Sequence, residues 1–137
     1  MDYSALKTGE IISSESIHLD RETVANFRNA VDDQSLLSIC AEGETLVPPM
    51  AAAALSFRGA IKALEIPGGT LHLSQEITFY KSLNVGNKIT CEATITRNSI
   101  RKELRFIQIE TCVNDEIKDK VLIGKSTITI PEVNQNE

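Results

Sequence analysis

Residues 49–64, PMAAAALSFRGAIKAL, constrain the fold of this chain more than any other stretch. Ala51 to Ala54 stand in a row, and Met50, Leu55, Phe57, Ile61 and Leu64 are spread over much of a helical circumference. A surface helix carries one apolar stripe and a broad charged face, whereas only Arg58, Lys62 and Glu65 mark a wet side here. Small side chains on several sides admit close neighbours, so the segment reads as a helix wrapped by the rest of the molecule. Pro48 and Pro49 mark its start, since a missing N–H costs nothing at the first helical position, and Pro67, Gly68 and Gly69 end it.

The wrapping follows in sequence. Residues 70–81, 88–97, 104–114 and 120–130 are rich in Ile, Val, Thr or Phe and are bounded by turn residues such as Asn84 to Asn87, Asn98 with Ser99, and Asn114 with Asp115. Their regular spacing predicts an antiparallel meander. Upstream, residues 10–19 predict a short opening strand between Gly9 and Asp20. Asp20 then offers an N-cap, Glu22 lies in the first turn, and Val24, Phe27 and Val31 recur at helical spacing, which predicts a helix over 21–31. Residues 32–47, DDQSLLSICAEGETLV, carry no period, and a connection of that length in a compact domain is often functional. The expectation is one α+β domain over 1–131, an antiparallel sheet around one long central helix, with a disordered polar tail at 132–137.

Several function classes fall away. A net charge of -5 without a basic, aromatic-interleaved patch argues against nucleic acid. No apolar run approaches the roughly 18 residues of a membrane span, and the opening MDYSALKTGE lacks the basic and apolar regions of a signal peptide. Cys40, Cys91 and Cys112 have no metal-ligand spacing, which predicts no metal and a reducing, cytoplasmic setting. With no histidine near it in sequence, Cys40 is a poor candidate for a nucleophile, and His18 reads as solvated at the opening strand's end.

The strand after the central helix carries an odd polar inventory. Alternation puts Leu71, Leu73, Gln75, Ile77 and Phe79 on one face and His72, Ser74, Glu76, Thr78 and Tyr80 on the other. Gln75 is then the single polar group on an apolar face, and it needs a partner, a water or a ligand. The same parity turns His72 away from the central helix, as a surface or subunit-contact histidine, with a site role as the alternative. Arg97, Arg101, Lys102 and Arg105 gather around the turn between the second and third of these strands, the one basic cluster on an acidic chain.

Residues 67–90, PGGTLHLSQEITFYKSLNVGNKIT, resemble the strand-turn signature of the MaoC-like (R)-specific enoyl hydratases and 3-hydroxyacyl dehydratases, a hot-dog-fold family. In that signature an L-H-x-x-Q strand leads into P-L-x-x-G-D, here Leu71, His72 and Gln75, then Ser82, Leu83, Gly86 and Asn87. LVPPM at 46–50 and ITIPE at 128–132 are similar to the family's helix entry and last strand, so the similarity spans residues 10–131. It implies binding of an acyl thioester on coenzyme A or acyl carrier protein, without a cofactor. Active members hydrate an enoyl thioester or dehydrate a 3-hydroxyacyl thioester with an Asp and a His about five residues apart, in the loop before the central helix.

Two departures qualify that implication. Residues 32–47 contain no histidine and no D-x-N-P-x-H pattern, so Asp33, with Asp32 beside it, is the remaining acidic candidate, and a helix-exit turn is its plainer reading. Pro48 and Pro49 replace the His-Gly pair whose N–H polarises the thioester carbonyl, which leaves Met50 or Ala51 as donor. The chain thus resembles a non-catalytic half that works as a homodimer or heterodimer with a second hot-dog unit, joined along the first long strand. Within the resemblance, Gln75, Met50, Ala51 and His72 are the substrate-contact candidates. Arg97, Arg101, Lys102 and Arg105 are candidates for coenzyme A phosphates or a carrier's acidic surface, against the plainer reading of a solvated hairpin. Rival expectations are a non-enzymatic ligand-binding or assembly module, and a hot-dog thioesterase using Glu42, Glu44 or Asp33.

Overall fold

The computed structural model describes residues 1–32 and 46–132. After a single 3-10 turn at Tyr3–Ala5, the chain forms β1 (Ile11–His18), α1 (Arg21–Ala30), α2 (Pro49–Leu64), β2 (Leu71–Phe79), β3 (Lys88–Arg101), β4 (Leu104–Asn114) and β5 (Lys120–Pro131). The strands make one sheet in the order β1-β3-β4-β5-β2, with every neighbouring pair antiparallel. The sheet packs on α2 in the hot-dog arrangement, an α+β fold. Among the described residues no helix is long and apolar enough to cross a membrane.

The four-strand meander is corrected by the pairing. Only β3, β4 and β5 run as a meander, while β2 pairs with β5 and becomes an edge. Residues 80–87 carry the chain across the end of the sheet, held there by bonds from Gly86 N–H to the Leu19 carbonyl (2.7 Å) and from Leu19 N–H to the Asn87 carbonyl (2.9 Å). The strand expected over 88–97 runs on to Arg101, because a bulge between Ile95 and Arg97 lets pairing continue through Asn98 and Ser99. The reversal falls instead at Lys102 and Glu103, both at positive φ (51° and 63°), as a two-residue hairpin turn requires.

α1 starts where the sequence predicts. The Asp20 carboxylate accepts from Thr23 N–H at 2.8 Å, and that bond holds its pKa below the ordinary aspartate value. α2 buries Ala51, Ala52, Ala53, Ser56, Ala60 and Leu64, and Gly59 lets β1 pass so close that a Cβ there would lie 2.9 Å from Ser13 Oγ. The helix is not wrapped on every side, however. Met50, Ala54, Arg58, Ile61 and Lys62 are exposed, so an open stripe runs down α2. Its end is closed by Tyr3, whose hydroxyl donates to the Leu64 carbonyl at 2.8 Å.

Two apolar clusters share α2. One surrounds Ala51, Ala52 and Ala53 with Ile17, Leu19, Val24, Ile89, Val113 and Leu122, and the other surrounds Ala60 and Leu64 with Ile95, Ile107, Ile109, Ile128 and Ile130. Each such side chain taken out of water contributes about 1.5–3 kcal/mol before conformational entropy is set against it. Between the clusters lie buried Ser56, Thr111 and Ser126.

Candidate functional site

The N-terminus of α2 opens on a small apolar cavity of about 280 Å³, lined by Val47, Pro49, Ala52, Phe79, Leu83 and Val121 together with Tyr80, Lys81 and Ser82. Pro49 has no N–H, and the Met50 amide, at the second helical position, has no intrahelical carbonyl to reach. The Ala51 amide is bonded to the Pro48 carbonyl at 2.9 Å and its side chain is buried. Of the two main-chain donors anticipated, the Met50 N–H is therefore the one left without an intrahelical acceptor, although Met50 itself is not among the residues that line the cavity.

The cavity rim is fastened from both sides. Val47 N–H donates to the Leu83 carbonyl at 2.8 Å, Leu46 bridges Asn84, and Tyr80 N–H donates to the Val121 carbonyl at 2.8 Å. Lys81 donates to Asp115 and, at 3.3 Å, to Asp119, which ties the 80–87 connection to the β4–β5 turn. The hydrogen bond to Asp115 pushes the Lys81 pKa up, and the same bond holds the Asp115 carboxyl below its ordinary range. Sequence reading missed this cluster. Its only signal is the Asn114-Asp115 turn, where Asp115 also accepts from Ile117 N–H (3.1 Å) and Asp119 N–H (2.9 Å).

β2 positions the polar candidates, and here the expected parity fails for His72. A bulge between His72 and Ser74 adds one residue to the strand, so alternation reverses across it. His72 stands opposite buried Ile128 and stacks on Phe57 of α2, ring centroids 6.1 Å apart and planes 9° apart. It faces the helix rather than away from it. Gln75 keeps its predicted side, opposite buried Ser126, but it is exposed because β2 is an edge. His72, Gln75 and Phe79 thus share the face of β2 turned towards α2.

The basic cluster divides. Arg105 is buried, bonded to Glu132 and to Asn98 Oδ1 (2.8 Å), while the Asn98 amide donates to the Tyr3 and Leu6 carbonyls (2.8 and 2.9 Å). It is a tie between strands and N-terminal segment, not a surface cation for phosphates. Arg97, Arg101 and Lys102 are exposed at the β3–β4 hairpin. Since Leu104 pairs with Pro131 while Val121 lines the cavity, that hairpin sits about 30 Å from the cavity along β5.

Asp33, Cys40, Glu42 and Glu44 lie outside the described residues. Cys91 is buried and desolvation pushes its thiol up to about 12; desolvation raises Cys112 too, and neither is poised as a nucleophile. Both histidines are accounted for: His72 stacks on Phe57, and His18, exposed at the end of β1, pairs with Lys88 in the ladder. Among the described residues no three His, Cys, Asp or Glu side chains gather as a metal site would need.

The family model described as "FAS1-like, dehydratase domain region" matches residues 6–123. No curated protein matches the chain. Among solved structures, the (R)-hydratase from A. caviae involved in PHA biosynthesis is 20% identical, with 93% of this chain and 98% of that one covered at a TM-score of 0.76. The MaoC-like dehydratase from Rhodospirillum rubrum is 13% identical, with 96% and 97% covered at 0.73. The HadBC (3R-hydroxyacyl-ACP dehydratase) complex from Mycobacterium tuberculosis is 15% identical, with 90% and 96% covered at 0.74. The chain belongs to the FAS1-like dehydratase domain region family, with the hot-dog fold of MaoC-like hydratases and dehydratases.

Proposed function

We propose that this chain is the acyl-thioester-holding subunit of an enoyl-thioester hydratase or 3-hydroxyacyl-thioester dehydratase, and that a second hot-dog subunit supplies the Asp and His. The observation that carries this reading is the furnishing of the α2 N-terminus. A main-chain donor at Met50 follows directly on Pro49, which lines an apolar cavity, yet neither histidine of the chain lines that cavity. The thioester carbonyl would accept from Met50 N–H as negative charge builds on its oxygen, while the partner's base takes a proton from water and its acid returns one to the α carbon.

The edge strand supports a partner. Among the described residues β2 leaves one row of main-chain groups without a neighbouring strand, and Leu71 and Leu73 lie on it with more than half their surface exposed. A second β2 laid antiparallel would satisfy that edge and cover the open stripe of α2. The HadBC relative, a 3R-hydroxyacyl-ACP dehydratase, is itself a complex, which favours a heteromer as the working form. Antiparallel pairing would also bring the hairpin carrying Arg97, Arg101 and Lys102 to the partner's cavity end, where thioester phosphates or a carrier's acidic surface would meet it.

The test is an assay of the lone chain with crotonyl and longer enoyl thioesters, following loss of the conjugated absorbance and, separately, release of free thiol. The expected result is thioester binding without turnover, and hydration once a hot-dog partner bearing the Asp and His loop is added. Robust hydration by the lone chain refutes the division of labour. Thiol release would move the assignment to a thioesterase, and absence of any thioester binding would move it to an assembly module.

A further inference from the structure

The sheet has two edges, and the second subunit proposed above meets β2. β1, at the other edge, runs beside α2 and frames an open groove of about 790 Å³. Its strand side is lined by Ser13, Ser14 and Glu15, and its helix side by Arg58, Gly59 and Lys62. Gly59 shapes the floor. A Cβ there would lie 2.9 Å from Ser13 Oγ and 3.2 Å from Glu15 Oε2, so only a residue without a side chain lets both groups rest against the helix.

The charges in this groove do not balance. Arg58 and Lys62 stand four residues apart on one face of α2, where like charges repel. Glu15 answers one of them: its Oε1 takes the Arg58 Nη2 in an ion pair that ties β1 to α2, and its Oε2 remains over Gly59. Among the described residues the exposed Lys62 ammonium makes no ion pair. One positive charge is thus in excess here, on a chain whose net charge is -5. Donors converge from two sides, the Lys62 ammonium and the remaining Arg58 N–H groups from the helix and the Ser13 and Ser14 hydroxyls from the strand. The space is far larger than a bare ion needs and lies in the range of small-molecule sites, about 300–1,000 Å³.

We propose that this groove binds a phosphate monoester carried on a hydroxylated body, the chemistry of a sugar phosphate or a nucleotide. Diverging phosphate oxygens suit donors that arrive from two elements better than a flat carboxylate does, and the Lys62 bond is charge-assisted. Glu15 Oε2 is the acceptor for a hydroxyl of the body. The site stands apart from the thioester reading: Arg58 and Lys62 follow Ala52 of the apolar cavity by six and ten residues, about 9–15 Å along the helix axis. The phosphate can belong to a free small molecule or to coenzyme A itself, and the two sources are separable.

Calorimetric titration of the full chain with ribose phosphate, with adenosine bisphosphate and with unphosphorylated ribose tests the site. Both phosphorylated compounds should bind, ribose should not, and affinity should fall as salt is raised. Lys62→Ala should weaken binding about fivefold, Ser13→Ala about threefold, and Lys62→Glu should remove it, with circular dichroism unchanged in each. Crotonyl-CoA titrated into native chain and Lys62→Glu then identifies the source. Affinity lost in the variant assigns the groove to the phosphates of coenzyme A, whereas equal affinity, or no thioester binding by either protein, assigns it to a free phosphorylated ligand. Absence of binding by both phosphorylated compounds overturns the site, as does equal binding of ribose or binding that survives Lys62→Glu.

Discussion

Gly124→Ala is the sharpest test of the packing between β4 and β5, where Thr111 stands opposite Gly124. Gly124 is not among the glycines at positive φ, so its backbone accepts alanine without strain, and any cost must come from contact. The new methyl would stand 2.6 Å from Thr111 Oγ1, a distance real Cβ atoms essentially never show. Thr111 is β-branched, buried and fixed in a central strand opposite Gly124, so it cannot swing clear as a long side chain would. Overpacking of this kind costs about 1–3 kcal/mol, and the smaller unfolded-state entropy of alanine offsets about 0.4–1 kcal/mol of it. The net loss should be about 1–2 kcal/mol, which for a chain of this length lowers Tm by about 3–8 °C. Urea and thermal unfolding of Gly124→Ala should be compared in the native background and with Thr111→Ala, where the obstructing atom is gone. There the same substitution should be neutral or stabilising. Equal losses in the two backgrounds, or no loss in the first, would refute the contact.

Four further outcomes are expected. Leu73→Lys puts a charge at the bulge of the exposed β2 edge, so light scattering should find a smaller assembly than the native chain forms while circular dichroism is unchanged. Arg105→Met leaves Glu132 and Asn98 without their partner and should cost about 2–3 kcal/mol in urea unfolding, with thioester affinity unaltered; a loss of affinity at constant stability would restore Arg105 as a ligand contact. Asp20→Ala should destabilise at neutral pH. Because the folded pKa of Asp20 is depressed, its contribution is whole above the unfolded value of about 3.8 and disappears as pH falls through the folded one, so native and variant curves should converge in acid. Cys91, buried and raised to about 12, should stay unmodified by a disulfide reagent at pH 8 in the folded protein, as peptide mapping would report.

The elements themselves were legible because each carries a local cause. Asp20 caps α1, the alanine run and Pro49 define α2, and the Ile, Val and Thr runs become strands close to where they are predicted. Non-local choices were not. Nothing in the residues around β2 says that it pairs with β5 rather than β3, since that depends on which edge the chain reaches after α2. The orientation of His72 was misread for a simple reason. Strict alternation holds only without a bulge, and Leu71, His72, Leu73 and Ser74 offer no glycine to announce one. Arg105 was misread because proximity in sequence to Arg101 and Lys102 hides its place on the buried face, one residue past the turn from an exposed Leu104.

The pairing of β1 also governs how the molecule can be made. Ile11 pairs with Thr94 and His18 with Lys88, so β1 leaves the ribosome long before its partner strand exists. Its neighbour β3 is also the partner of β4, which means that the sheet cannot begin to close from its N-terminal side until most of the chain has been synthesised. Contacts this distant in sequence slow folding, because closure entropy is spent before burial returns it. Until then the apolar alanine helix and the unpaired β1 are open to chaperones and to one another.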